Sequence, residues 1–204
     1  MSQQYQIVIK NDSTTTTNFC LYQQGPPGFV TDHNQLAWKP TTVAPGSTNT
    51  VSWEERYSFV WGNTPTFHTG SVFTPSQMLD AGLNSNNAVN YNCQNGVYSF
   101  SGPSTENPAG NLYVNINADV PGGDTAVGIA VDGSPVFAMR VRPDVGFMFT
   151  SGNSIWLTTG NYTAGQVLDV SSLPTPVEIT FPTGVYTMYA TLHKDNTWTV
   201  SDKP

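Results

Sequence analysis

Glycine and proline interrupt this chain so often that a long helix has nowhere to form. Eighteen Gly and fifteen Pro are spread over 204 residues. Gly loosens the backbone, and Pro removes a hydrogen-bond donor. Good helix formers are scarce, with four Glu and four Lys. In their place stand 26 Thr, 18 Asn and 17 Ser. Thr suits a pleated strand, while Asn and Ser join Gly and Pro in turns. The chain therefore reads as all-β, with many short strands. Aromatic residues form 12% of it, far too many for a disordered polymer.

Alternation places the strands. Tyr5 to Lys10 alternates, Asn11 to Thr17 is a polar turn, and Asn18 to Tyr22 returns. Gly25-Pro26-Pro27-Gly28 ends that strand. The clearest alternation covers 51–61, where Val51, Trp53, Tyr57, Phe59 and Trp61 share a face. Glu55 falls on the same face, so a bulge is expected to turn it out. Asn95-Gly96 suits a two-residue hairpin turn pairing Gln94 with Val97, Cys93 with Tyr98 and Tyr91 with Phe100. Asp132-Gly133 predicts a second hairpin, with Ile129 opposite Val136 and Gly128 opposite Phe137. Further strands are expected at 111–117, 146–150, 154–158, 166–170, 176–181, 184–192 and 197–200. Pro75 to Gly82 suggests the one helical turn. No linker, repeat or βαβ rhythm appears. The expected architecture is one antiparallel β-sandwich domain over residues 1–204, jelly-roll-like and with long loops.

Charge limits the partners. Seven Lys and Arg stand against fourteen Asp and Glu, for a net charge of −7. Nucleic-acid binding needs a concentrated basic face, which this balance argues against. No apolar run is long enough for a membrane helix, and no amphipathic segment suggests membrane insertion. The first residues, Met1 to Tyr5, lack the basic and apolar regions of a secretory signal, so a cytoplasmic location is the default expectation. Charged residues make up only 10% of the chain, against about 25% in an average domain. Lysines on edge strands discourage sheets from pairing edge to edge. A chain with four has given up much of that protection.

The residues that could carry chemistry are few. His33, His68 and His193 are widely separated and lack zinc-site spacing, and each is expected in a surface loop. Asp32-His33 has no nucleophile context, and no G-x-S-x-G elbow occurs. Asp119 and Asp124 flank Gly122-Gly123 in a loop whose oxygens could hold a hard cation, but the spacing is that of an ordinary turn. Glycoside hydrolysis needs two carboxylates across a cleft. Glu54 and Glu55 point to opposite faces of a strand, Glu106 lies in a loop and Glu178 in a strand. No catalytic, metal or cofactor residues are assigned. Strand phase puts Phe19 and Leu21 inward, so Cys20 should face outward and Cys93 inward. Two free thiols are the expectation, with Cys20 and Cys93 as candidates for a bond between protomers. Trp38, Trp53 and Trp61 sit in apolar contexts and read as core. Trp156 and Trp198, flanked by Thr, Ser and Asn, are the candidate ligand-contact aromatics.

Several stretches together carry a family resemblance. They are Gln6 to Asn11, Phe19 to Gln23, Leu36-Ala37-Trp38, Trp53 to Trp61 (WEERYSFVW), Gly160 to Val167, Pro182 to Tyr186 and Asp195 to Trp198. In this order they resemble the rhizosphere-expressed RhiA protein family, over nearly the whole chain. The resemblance implies a small, often abundant, non-enzymatic protein, whose expression in rhizobia is tied to cell-density signalling. It brings no catalytic or binding residues.

Two functions follow as expectations. The first is a non-enzymatic structural or interaction protein that associates with itself into larger assemblies. The second is a lectin-like sandwich that binds glycans.

Overall fold

The computed structural model describes residues 3–24, 33–150 and 154–204. The Gly25-Pro26-Pro27-Gly28 turn and Asp32 lie outside the described residues. Among the described residues, seventeen strands carry the fold. The first seven are β1 (Gln4–Asn11), β2 (Thr17–Gln24), β3 (Asn34–Gln35), β4 (Lys39–Val43), β5 (Thr48–Glu54), β6 (Tyr57–Asn63) and β7 (Gln77–Ala81). Then come β8 (Ala88–Gln94), β9 (Val97–Ser104), β10 (Asn111–Ile116), β11 (Thr125–Val131), β12 (Ser134–Arg140) and β13 (Gly146–Thr150). The last four are β14 (Ser154–Thr159), β15 (Val177–Ile179), β16 (Thr187–Leu192) and β17 (Trp198–Ser201). The fold is all-β, as expected from the sequence. Among the described residues no helix is long and apolar enough to cross a membrane.

The strands form four sheets, ordered β17-β16-β1-β5, β15-β14-β2-β4, β13-β10-β8-β9 and β3-β12-β11-β6-β7. The first two face each other, as do the last two. Phe19 of β2 meets Trp198 of β17 across the first interior at 5.8 Å. Phe59 of β6 meets Phe100 of β9 across the second at 6.2 Å. The first pair holds both ends of the chain, and the second holds its middle. One hydrophobic cluster draws on all four sheets, from Ile7, Phe19 and Trp53 to Phe59, Val114 and Phe137. Trp38 ties the two halves: its ring packs against Trp53 at 5.1 Å, and its indole Nε1 donates to Val131 O at 3.1 Å. Pairing is antiparallel except for β1 with β16 and β8 with β10, which are parallel.

Several local expectations are corrected. β2 does return from β1, but into the facing sheet, where it pairs with β14 and β4. Asn11 holds that arch. Buried at the end of β1, it donates from Nδ2 to Thr15 O and Val43 O and accepts from Ser13 N. The alternation at 51–61 is two strands rather than one bulged strand. Between them Glu55 and Arg56 carry the chain from one sheet to another, which turns Glu55 outward. Pro75 to Gly82 is no helical turn, since β7 lies there as an edge strand on β6. The 166–170 segment makes only single bridges, Val167 to Leu36 and Gln166 to Val72, before a short 3-10 turn at Val170–Ser172.

Both predicted hairpin turns form, with φ positive at Asn95, Gly96, Asp132 and Gly133. The Asn95-Gly96 register is the expected one. The second slips by one residue, pairing Ala130 with Pro135 but Ile129 with Phe137 and Gly128 with Ala138. Pro135 has no N–H for the ladder, and the Val136 carbonyl turns away to accept from Leu36 N at 3.0 Å. Val136 is left as a bulge.

The second and fourth sheets are also covered on their outer faces. Leu36, Val60, Phe73, Ala126, Ala130, Ala138 and Val167 form one satellite core. Cys20, Tyr22, Ala37 and Leu168 form another, with Trp156 and Tyr162 packed on it. This is why β11, Thr-Ala-Val-Gly-Ile-Ala-Val, is buried at every position.

Candidate functional site

The two satellite cores change the reading of the residues singled out from the sequence. Cys20 does lie on the face opposite Phe19 and Leu21, but that face is packed rather than wet. The thiol is wholly buried, and burial pushes it up to about 12 against weaker backbone hydrogen bonds at Trp38 and Lys39. The expectation of an exposed Cys20 is therefore corrected, and a bond between protomers through it would require this layer to open. Cys93, expected inside, is half-buried beside Tyr98, its partner across the hairpin. Both cysteines are free.

Neither candidate ligand aromatic is an exposed platform. Trp156 is half-buried against Tyr22, and its Nε1 is buried with no hydrogen-bond partner. Trp198 is half-buried, packs on Phe19 and donates from Nε1 to Thr175 O at 2.9 Å. They stand on different sheets. Asp119 and Asp124 are both exposed, and among the described residues no group of three or more acidic, His or Cys side chains could hold a metal ion. His68 and His193 lie in surface turns, as expected. His33 does not: its ring packs edge-on against Phe137 at 4.7 Å, and burial lowers it to about 4.

One concave site was not foreseen from the sequence. A cleft of about 350 Å³ opens where β5 crosses to β6, at the junction of three sheets. Tyr5 enters from β1, Trp53 from β5, Glu55 from the crossover and Tyr57 from β6. β15 and the residues after it supply Glu178, Thr180 and Phe181. The aromatic wall is a connected set. Tyr5 stacks on Trp53 at 5.9 Å, and Phe181 stands edge-on to both at 5.2 and 5.8 Å. Burial raises the Glu55 carboxyl. The Tyr57 hydroxyl is pushed up to about 12, first by burial and then by Glu55 and Tyr5. Tyr5 is raised by burial, Glu55 and Tyr186 in that order. Glu55 thus shares a partly dry space with two phenols. The sequence placed Glu55 and Glu178 on separate strands, and the fold brings both to one cleft.

The model of the RhiA family matches residues 2–203. The chain belongs to the RhiA family. Protein RhiA of Rhizobium leguminosarum bv. viciae is 29% identical over 201 residues, covering 97% of this chain and 86% of that protein. No solved structure matches. Family membership therefore spans both sheet pairs and every residue of the cleft.

Proposed function

We propose that this RhiA-family protein is a non-enzymatic structural or interaction protein that associates with itself through its sheet edges. What supports the reading best is the make-up of the strands that end the four sheets. These are β17, β5, β15, β4, β13, β9, β3 and β7. The one basic residue among them is Lys39 on β4. It is not free to repel a second copy, because its Nζ lies 3.2 Å from Asp132 Oδ2. Three of the terminal strands carry neither a charge nor a proline: β13 (GFMFT), β17 (WTVS) and β3 (NQ), which at two residues is too short to template a partner. Natural edges are normally guarded by such residues.

The surroundings of these strands add to this. β4 and β5 meet at one rim, where Asn49 Nδ2 donates to Thr41 Oγ1. β9 and β7 meet at another, where Phe100 N donates to Gln77 Oε1. β13 and β17 are left as the edges best suited to pairing. A surface of Thr, Ser and Asn also costs less side-chain entropy to immobilise than one of Lys and Glu. The glycan-binding alternative draws no specific support from Trp156 and Trp198, whose rings pack internally.

The test is mass in solution across concentration, by light scattering after gel filtration. The unmodified protein should form species larger than one chain, with or without reductant. Met148→Lys on β13 and Thr199→Lys on β17 should each shift it toward the single chain while leaving the circular dichroism unchanged. A monomer at every concentration would refute self-association. Assemblies indifferent to both substitutions would refute these edges as the contact.

A further inference from the structure

The cleft at the β5–β6 crossover has a chemistry that edge pairing does not use. Its walls are the rings of Tyr5, Trp53, Tyr57 and Phe181, and its carboxylates are Glu55 and Glu178. Among the described residues, neither carboxylate has a basic group within ion-pair distance. The nearest basic residue in sequence, Arg56, is already engaged by Glu54 at 3.4 Å and Asp132 at 2.8 Å. A carboxylate taken partly out of water without a cation is costly. Glu55 is such a group, and Glu178 lines the same aromatic space with it, which defines what would complete the cleft.

We propose that this cleft binds a small organic ammonium ion, held by the Glu55 and Glu178 carboxylates and by the faces of the surrounding rings. Aromatic faces carry negative quadrupole density and attract cations, most strongly when both are shielded from water. The volume, about 350 Å³, lies at the small end of the range of roughly 300–1,000 Å³ for ligand pockets. A neutral sugar would use the rings and could donate hydroxyls to the carboxylates, but it would leave their charge unpaired. A bare metal ion would use the carboxylates but gain nothing from the rings, and among the described residues no third ligand of the usual kind is grouped with them. An alkylammonium uses both. Nothing in this assignment depends on self-association, so either can fail alone.

The protein would be titrated with choline, followed by tryptophan fluorescence, to which Trp53 of the cleft contributes, and by calorimetry. Its uncharged isostere 3,3-dimethylbutan-1-ol and the neutral sugar N-acetylglucosamine would be run beside it. Choline should bind saturably, at least about tenfold more tightly than the isostere, and more weakly as salt rises. Glu55→Gln and Glu178→Gln should each weaken choline several-fold without changing the weak response to the isostere. Both side chains belong to exposed residues, so the variants should keep the fold, and a matching thermal midpoint would show it. Equal binding of choline and the isostere would overturn the proposal. So would binding of N-acetylglucosamine in place of choline, unchanged affinity in both Gln variants, or no binding of any probe.

Discussion

Lys39 and Asp132 are joined across 93 positions of sequence, with Lys39 Nζ 3.2 Å from Asp132 Oδ2. The bond links an edge strand of one sheet pair to a hairpin turn of the other. Arg56 adds a second contact at 2.8 Å, from the crossover between them. Burial alone would push the Asp132 carboxyl up, but hydrogen bonds from Arg56 and Lys39 and their charges outweigh it, so it is held below its ordinary value. A depressed carboxyl stabilises the fold at pH above its unfolded value, near 4, and loses that contribution as pH falls through the folded value. Asp132→Asn keeps the left-handed turn, which Asn tolerates. It should lower stability at neutral pH by on the order of 1 kcal/mol through the Lys39 contact. Urea unfolding at pH 7 and pH 3 checks this, since the difference from the unmodified chain should shrink at the lower pH.

His33 works in a separate window. Its ring lies against Phe137 and Phe149, and burial lowers it to about 4. Above about pH 6.5 the ring is neutral in both states, and stability does not depend on it. Between 6.5 and 4 only the unfolded chain takes up the proton, so stability falls as pH falls. The loss should be on the order of 2 kcal/mol across that window. His33→Gln should flatten the slope there and leave the decline below pH 4 in place. A slope unchanged by the substitution would refute the assignment.

Gly128 tests the packing of the central sheet. A Cβ added there would collide with the Phe137 carbonyl oxygen and come within 2.9 Å of the Ala138 Cα. Backbone atoms of a buried strand cannot step aside, so Gly128→Ala should cost about 3 kcal/mol or more. Gly102, on the edge strand β9, has nothing within 4 Å of the same position, and Gly102→Ala should stay within about 0.5 kcal/mol of neutral. Thermal unfolding of the two variants side by side gives the comparison.

The contrast between the two hairpins shows what the sequence could convey. Asn95-Gly96 fixes its own register, because turn chemistry and pairing are both local there. Asp132-Gly133 fixes its turn equally well, but its ladder slips because the Val136 carbonyl bonds to Leu36, a hundred positions away. The phase of Cys20 was legible and its environment was not. Alternation separates two faces of a strand, yet it cannot say that residues 162–173 will cover the outer one. The cleft is the extreme case. Tyr5, Trp53 and Phe181 touch one another from three distant segments, and no local pattern marks any of them as partners. Glu55 carried the one usable signal: an acid on an aromatic face has to leave the strand, and the chain changes sheet there.

The thiols give the last prediction, and it separates two routes to assembly. Cys20 is wholly buried under Tyr22, Ala37 and Leu168, with its thiol pushed up to about 12. A thiol needs both access and thiolate character to react, and Cys20 has neither in the folded chain. Cys93 is half-buried beside a hairpin tip whose Val97 is 66% exposed. A thiol-titrating disulfide reagent should therefore modify one group quickly in the native protein and two in denaturant. Cys93→Ser should remove the fast phase, while Cys20→Ser should leave it. By the same reasoning, any dimer seen on a non-reducing gel should vanish in Cys93→Ser and persist in Cys20→Ser. Fast native reaction of Cys20 would mean that the segment over it opens readily. Assembly through that thiol would then compete with assembly through the strand edges.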